Sequence, residues 1–313
     1  MKINSSLRNI RRDAALSEIN LDILIALLPS AFWAAFAHGT RAVLLMLASV
    51  ATSVIADVLV GALSKRKLLS FLDLSSIVCG MILALLVPAS LSVTSVAAMA
   101  LVSVALARAV PFFGRLPICS PAVVLAVSSL FMKNELSVFP ALERAMSGNS
   151  TSAAVYPVTA LVAETTPDNQ WYELFFGSVC GPMGTLSVLL IIAGAVYLFL
   201  RRIASVKAVV GFMAGVAACA YFITGSANPF EVVLYTCLTG QFLFGAVFCV
   251  SLPMWTVTDT RFNIIIPAVG GAISVLVAFK FSLLAVPIAA LAVGLLSSLS
   301  MLLPPAQTPF GGK

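Results

Sequence analysis

Charge is scarce in this sequence. Only 10% of its 313 residues are Asp, Glu, Lys or Arg, where soluble domains carry about 25%. Histidine is scarcer still: His38 is the only one, and no other metal-binding side chain lies near it in sequence, which argues against a His-built metal centre. The six cysteines, Cys79, Cys119, Cys180, Cys219, Cys237 and Cys249, stand singly inside apolar runs. No CxxC pair or Cys/His cluster occurs, so neither a zinc site nor a disulfide framework is written here, and the thiols read as small buried hydrophobes. There is no G-x-G-x-x-G ahead of a helix, no phosphate-binding P-loop and no Ser/His/Asp arrangement, which leaves soluble nucleotide and hydrolase chemistry without a motif. The first residues, "MKINSSLRNIRRDAALSEIN", are basic but lack an apolar stretch with a cleavage site, so they read as a cytoplasmic lead-in and not as a signal peptide.

What is present is apolar surface. Hydrophobic residues make up 61% of the chain and the mean hydropathy is +1.09. A water-soluble core does not need so much, and the chain is expected to be an all-α integral membrane protein. About ten segments reach spanning length: roughly 20–37, 41–63, 69–88, 92–110, 118–132, 175–200, 207–225, 230–251, 263–280 and 282–303. The third and eighth carry polar residues and prolines at their ends and are expected to be broken or re-entrant. With the N-terminus in the cytoplasm, fourteen of the 18 Lys and Arg residues fall inside. Only Arg41, Lys133, Arg144 and Lys280 fall outside, a bias that supports this orientation and span count. The net charge of +6 is therefore a matter of membrane sidedness and gives no reason to expect a nucleic-acid partner. The organisation reads as a lead-in (1–19), five helices (20–132), an acidic extracytoplasmic loop (133–174), five more helices (175–303) and a cytoplasmic tail (304–313).

Two short patterns recur. "RLPICSPAV" (115–123) and "RFNIIIPAV" (261–269) both read Arg, five residues, Pro-Ala-Val. "GMILALLVP" (80–88) and "GAVFCVSLP" (245–253) both read Gly, seven residues, Pro, and in each half this pattern precedes the other. An odd number of spans per half implies two inverted five-helix repeats, with Pro88, Pro121, Pro253 and Pro267 as natural break points. The two Pro-Ala-Val copies do not fit strict inversion, since Arg115 and Arg261 both fall on the inner side.

Single residues stand out against this background. Asp57, in the middle of the second span, costs about 2.5–3.5 kcal/mol to insert and must face the bundle interior, either handling a cation or proton or serving as a hydrogen-bond hub. Asp73 lies near the inner end of the third span, interfacial or paired with Lys65–Lys67. Arg108 is placed to snorkel to the inner face. Gly177, Gly181 and Gly184 are spaced i, i+4 and i+7. On a helix they would share one face, against which another helix, or a planar ring, could lie close.

Residues 171–198 carry a resemblance. "WYELFFGSVCGPMGTLS" is similar to a signature of the RnfD/NqrB family, membrane subunits of the Rnf complex and of the sodium-pumping NADH:quinone reductase. The signature is approximately Leu-Phe-x-Gly-x-x-x-Gly-x-x-Gly-Glu-x-Ser. Leu174, Phe175, Gly177, Gly181, Gly184 and Ser187 match it in order. "GAVFCVSLP" resembles that family's Gly-Ala-Phe-Phe-Met-Ala-Thr-Asp-Pro, "ICSPAVV" its Phe-Asn-Pro-Ala segment, and "DLSSIVCGMILALLVP" (73–88) the text before its fourth span. The resemblance implies a subunit of an ion-translocating electron-transport complex in the inner (plasma) membrane. Electrons would pass through flavin coupled to Na⁺ or H⁺ movement, with NADH or ferredoxin chemistry on other subunits. It further implies FMN, or riboflavin, as cofactor. The family attaches FMN to a threonine of the outer loop, and the equivalent segment here is "YPVTALV" (156–162), with Thr159 at that position. Gly177, Gly181 and Gly184 become the cofactor-contacting positions. The chain departs from the pattern in Tyr156, Pro157 and Val158 before the threonine, in Thr185 for the family's Glu, and in Ser251-Leu252 for its Thr-Asp. These departures keep a rival reading open: a small-solute permease or channel on the same architecture, with no redox role.

Overall fold

A computed structural model describes residues 2–63, 74–109, 118–136, 139, 171–177, 179–223, 229–253, 263–278 and 285–302. The described residues are helical, with turns and no strands. Helix α1 (Lys2–Leu63) has a break at Gly39, where φ is 64° and ψ −147°, a backbone state that glycine adopts readily. The break falls between the first two expected spans, and each limb is long enough to cross a bilayer. There follow α2 (Ser75–Leu86), α3 (Val93–Ala109), α4 (Ser120–Phe131), short α5 (Lys133–Leu136) and α6 (Trp171–Phe176), and a 3₁₀ turn (Met183–Thr185). The second half continues with α7 (Val188–Leu200), α8 (Val206–Ile223), α9 (Pro229–Leu238), α10 (Gly240–Phe244) running into a π-helical segment (Gly245–Val250), α11 (Ile265–Ala278) and α12 (Ala285–Leu302).

The polarity of α1 is that of a helix in lipid. Leu21, Leu28, Phe32, Leu47 and Ile55 face outward, while Asn20, Asp22, Ser49, Ser53 and Asp57 are buried. Water would favour the reverse; a bilayer rewards apolar groups outside and small polar groups paired inside. Among the described residues, Leu16–Leu63 and Val206–Ile223 are long and apolar enough to cross a membrane, and the pair Phe230–Leu238 and Gly240–Val250, bent by 55°, makes a broken third. The other apolar helices are shorter than a full crossing. This is a helical membrane protein.

Three expectations about elements meet the structure directly. The eighth span is broken, as its sequence suggested, with Thr239 extended at the bend (φ −70°, ψ 111°). The sixth, expected as one helix over 175–200, is also broken: α6 ends at Phe176, Gly177 has a φ of 94°, and residues 179–182 are non-helical ahead of the 3₁₀ turn at Met183. Pro182, which has no N–H to donate, prevents the helix from resuming sooner. Gly177, Gly181 and Gly184 therefore do not line one face of a helix. Lastly, both Pro-Ala-Val copies sit in the first turn of a helix, Pro121 in α4 and Pro267 in α11. Proline is pre-organised for that place, so a common local task accounts for the shared text.

The helices pack in a regular way. In the first half α1 lies along α2 and α3, and α3 against α4; in the second, α8 lies along α11, and α11 against α12. Between halves, α1 packs on α7 and α4 on α12.

Candidate functional site

The non-helical pieces of both halves meet in the core. At the end of α2 the chain turns extended at Val87 (φ −95°, ψ 154°), which frees its carbonyl to accept from Met183 N–H at 3.1 Å. Helix breaks in lipid need such partners, because water is not there to supply them. Gly184 lies between Leu85 of α2 and Phe244 of α10, and Gly240 lies against the Thr185 carbonyl. A Cβ at either glycine would collide with its neighbour. Phe244 and Phe248 pack with ring centroids 4.8 Å apart behind this junction. A small, half-open cleft adjoins it, lined by Leu174, Val179, Cys180, Thr185, Leu186 and the bend residues 238–241.

Gly177 is fixed differently. Trp33 Nε1 of α1 donates to its carbonyl at 3.3 Å, and the space a Cβ would take is filled by Trp33 and Ser187. Ser187 Oγ in turn donates to the Phe175 carbonyl at 3.2 Å. The notches of Gly177 and Gly184 are thus occupied by protein atoms, and a flavin ring does not fit against these two glycines in this arrangement.

A polar seam runs along the first half. Ser49, Ser53 and Asp57 succeed one another at one-turn spacing on the second limb of α1 and are all buried. Ser49 Oγ donates to the Gly80 carbonyl of α2 at 2.7 Å. Ser53 Oγ is fully buried beside Gly80 with no hydrogen-bond partner among the described residues. Asp57 is gripped by Arg108 of α3: Nε lies 3.2 Å from Oδ1, and Nη2 donates to Oδ2 at 3.3 Å. Arg108 Nη2 also donates to Ser75 Oγ at 2.6 Å. One turn along α2 from Ser75, Cys79 contacts Ser120 Oγ at 4.0 Å, and Ser103 donates to the same hydroxyl at 3.4 Å. The seam joins all four helices of the first half.

A second ion pair joins the halves. Asp22, buried in α1, accepts from Tyr197 Oη at 2.7 Å and from Arg201 Nε at 3.0 Å, with Arg201 Nη2 at 2.8 Å. The hydrogen bond to Asp22 pushes the already high pKa of Arg201, just beyond α7, further up, so the guanidinium stays charged.

The comparisons with known proteins fit this geometry. The family described as NQR2, RnfD, RnfE matches residues 4–297. The chain belongs to that family. Over 96 residues it is 40% identical to the B subunit of the Na(+)-translocating NADH-quinone reductase of Pseudomonas aeruginosa strains LESB58 and UCBPP-PA14, covering 29% of this chain and 24% of each relative. The corresponding protein of Yersinia pestis is 35% identical over 89 residues, covering 27% of this chain and 22% of the relative. The matched part of this chain thus spans about a quarter of the length of these curated relatives.

All four stretches that carry the resemblance to the NQR2, RnfD, RnfE family, 73–88, 118–124, 171–187 and 245–253, enter the same core cluster. At two of the three sites of departure, hydroxyls are satisfied locally: Thr185 Oγ1 donates to the Pro182 carbonyl at 3.1 Å and Ser251 Oγ to the Val247 carbonyl at 2.7 Å. Among the expected site residues, Gly177, Gly181 and Gly184 are buried in the junction and Asp57 in the seam. Thr159 and Asp73 lie outside the described residues. Arg108 was expected to snorkel, and instead turns inward to Asp57. The signal for that was a lone Asp in the second span and a lone Arg in the fourth, each without a partner on its own helix. The Asp22–Tyr197–Arg201 group was not anticipated at all.

Proposed function

We propose that this chain is a membrane subunit of an Rnf/Nqr-type ion-translocating electron-transport complex in the plasma membrane, with its N-terminus in the cytoplasm. Other membrane and peripheral subunits are its partners and carry the NADH or ferredoxin chemistry. Electrons pass through flavin, FMN bound at Thr159 or a riboflavin, and their passage is coupled to Na⁺ or H⁺ movement. The observation that carries this reading is the convergence of the four family-like stretches on one buried junction of helix breaks. Gly177 and Gly184 serve there by letting backbones approach, and the flavin is assigned to the outer loop.

The same reading takes the two five-helix halves as inverted repeats. The packing supports this: first helix on sixth and fifth on tenth is the pairing that a two-fold relation between halves produces. Asp57 is the group for the coupled cation. Arg108 now neutralises it, so taking up a cation requires a state in which Arg108 has withdrawn, and a difference in affinity between two such states is what coupling needs. The locally satisfied hydroxyls of Thr185 and Ser251, at and beside the positions where the family has carboxylates, favour the solute permease as a second reading.

The test is flavin itself. Wild-type protein co-expressed with a flavin transferase should give a fluorescent band on a denaturing gel, and Thr159→Ala a dark one. A dark wild-type band removes the covalent attachment. Solute uptake by proteoliposomes without an electron donor would decide for the permease.

A further inference from the structure

The short connection between α7 and α8 carries charge where its backbone does not favour it. Helix α7 ends in a Schellman turn: Arg202 N–H donates to the Phe199 carbonyl at 3.0 Å and Ile203 N–H to the Leu198 carbonyl at 3.0 Å. Such a turn puts the residue just past the helix cap in the left-handed region, a place that glycine usually takes because it has no Cβ to clash. Arg202 occupies it here, with φ 58°. Lys207 is placed against a local preference too: it lies in the first turn of α8, where the helix dipole repels a cation. Both residues are exposed, and neither is in an ion pair among the described residues. Membrane sidedness asks only for basic residues somewhere in a connection. It does not ask for one at a glycine position and another at the positive end of a helix.

The connection is held at three points. Arg201 is bound to Asp22 of α1, Ile203 packs against the core, and Ser205 N–H donates at 3.2 Å to the carbonyl of Ser251, just past the π segment. Arg202 and Lys207 therefore stand on a fixed frame. Lipid-facing apolar side chains run up to this frame from both helices: Leu200 is 78% exposed, Val206 50% and Val210 60%. Unpaired positive charge and open aliphatic surface thus adjoin each other at one boundary of the membrane.

We propose that the α7–α8 connection is a binding site for an anionic phospholipid, whose phosphodiester takes Arg202 and Lys207 as counter-charges and whose acyl chains lie along Leu200, Val206 and Val210. A phosphate offers the guanidinium of Arg202 a planar, bidentate partner. Its negative charge also offsets the repulsion between Lys207 and the start of α8. An acidic segment of a partner protein would answer the two charges and leave the aliphatic side chains unmatched; a phospholipid answers both at once. The site does not rest on the redox reading of the protein, because it needs only the membrane location.

The experiment presents the full-length chain, purified in a neutral detergent, with phosphatidylglycerol or phosphatidylcholine. Retained lipids are counted by native mass spectrometry, and melting temperatures are read in parallel. Wild type should retain phosphatidylglycerol in preference to phosphatidylcholine. Arg202→Gly and Lys207→Gln should each weaken phosphatidylglycerol binding about fivefold, the factor that one basic residue near an anionic membrane surface contributes, and leave phosphatidylcholine binding unchanged. In phosphatidylcholine Arg202→Gly should melt no lower than wild type, because glycine suits the left-handed turn; this separates a lost lipid contact from a damaged fold. Glycerol 1-phosphate, which has the charge without the chains, should not displace the lipid. Equal phosphatidylglycerol binding by wild type and the double variant would overturn the proposal, as would a lower melting temperature of Arg202→Gly in phosphatidylcholine. Displacement by glycerol 1-phosphate would overturn it in favour of a free phosphate. An equal loss in Arg41→Gln, which removes the same charge from another exposed place, would overturn it in favour of a net-charge effect.

Discussion

The two halves of this membrane protein solve the same packing problem by different means. In the first, the second limb of α1 meets α2 and α3 through polar groups: Ser49 on the Gly80 carbonyl, and Asp57 with Arg108 and Ser75. In the second, α8 meets α11 through bare backbone. Gly211 lies on the Ile264 carbonyl, Gly215 on that of Ala268, and Gly271 on that of Phe212. Lipid tails are as apolar as leucine, so neither interface is driven by escape from water; one relies on hydrogen bonds and charge, the other on close van der Waals approach. The Gly-x7-Pro segments differ in the same spirit. Gly80–Pro88 is α-helical as far as Leu86, whereas Gly245–Pro253 is π-helical as far as Val250. The lesson is that a repeated sequence pattern marks where a helix breaks, while its neighbours decide how.

The comparison breaks most sharply at Gly215. Leu at this position would drive a side chain into the Ala268 backbone, which cannot rotate away. Overpacking costs about 1–3 kcal/mol where side chains can move, so here the effect should reach or pass that range. Loss of the monodisperse peak in detergent, read by fluorescence-detected size exclusion, is the expected outcome.

The charged pair of the first half comes next. Arg108→Ala would leave Asp57 buried and unpaired. Breaking a buried pair costs about 3–5 kcal/mol, and because Arg108 is a quarter exposed the lower end is expected. The double variant Asp57→Asn/Arg108→Gln should restore much of the lost thermal stability. If the double variant is no better than the single, the pair is not what holds α1 to α3.

A smaller fall in melting temperature is expected for Tyr197→Phe and Arg201→Ala, since Arg201 is more than half exposed and its attraction to Asp22 is screened. An effect as large as that of Arg108→Ala would show that the link between halves, not the seam within one, dominates stability.

The two serines of the seam give the finest comparison. Ser49→Ala removes a buried hydrogen bond and should cost about 1 kcal/mol. Ser53→Ala should be neutral or slightly stabilising, because its hydroxyl is buried with no partner among the described residues. Equal losses at both positions, read as melting temperatures, would mean that Ser53 has a bound partner, such as a water molecule.

Composition and hydropathy by themselves determined that this chain is a helical membrane protein. The residues also located the turn near Gly39, the bend in the eighth span and the family, because a spanning helix, a glycine between helices and a motif are each written within a few adjacent residues. What lay beyond that reach was left to the tertiary structure. The sixth span looked continuous because its apolar run does not announce that Gly177 adopts a left-handed conformation against Trp33. Asp57 could be identified as a group needing a partner, but not that its partner is Arg108, 51 residues away. Nor could the sequence tell that protein atoms fill the notches of Gly177 and Gly184. The physical reason is common to all of these: a buried charge or a missing Cβ states a requirement locally, but which distant group meets it depends on how the helices are arranged around one another.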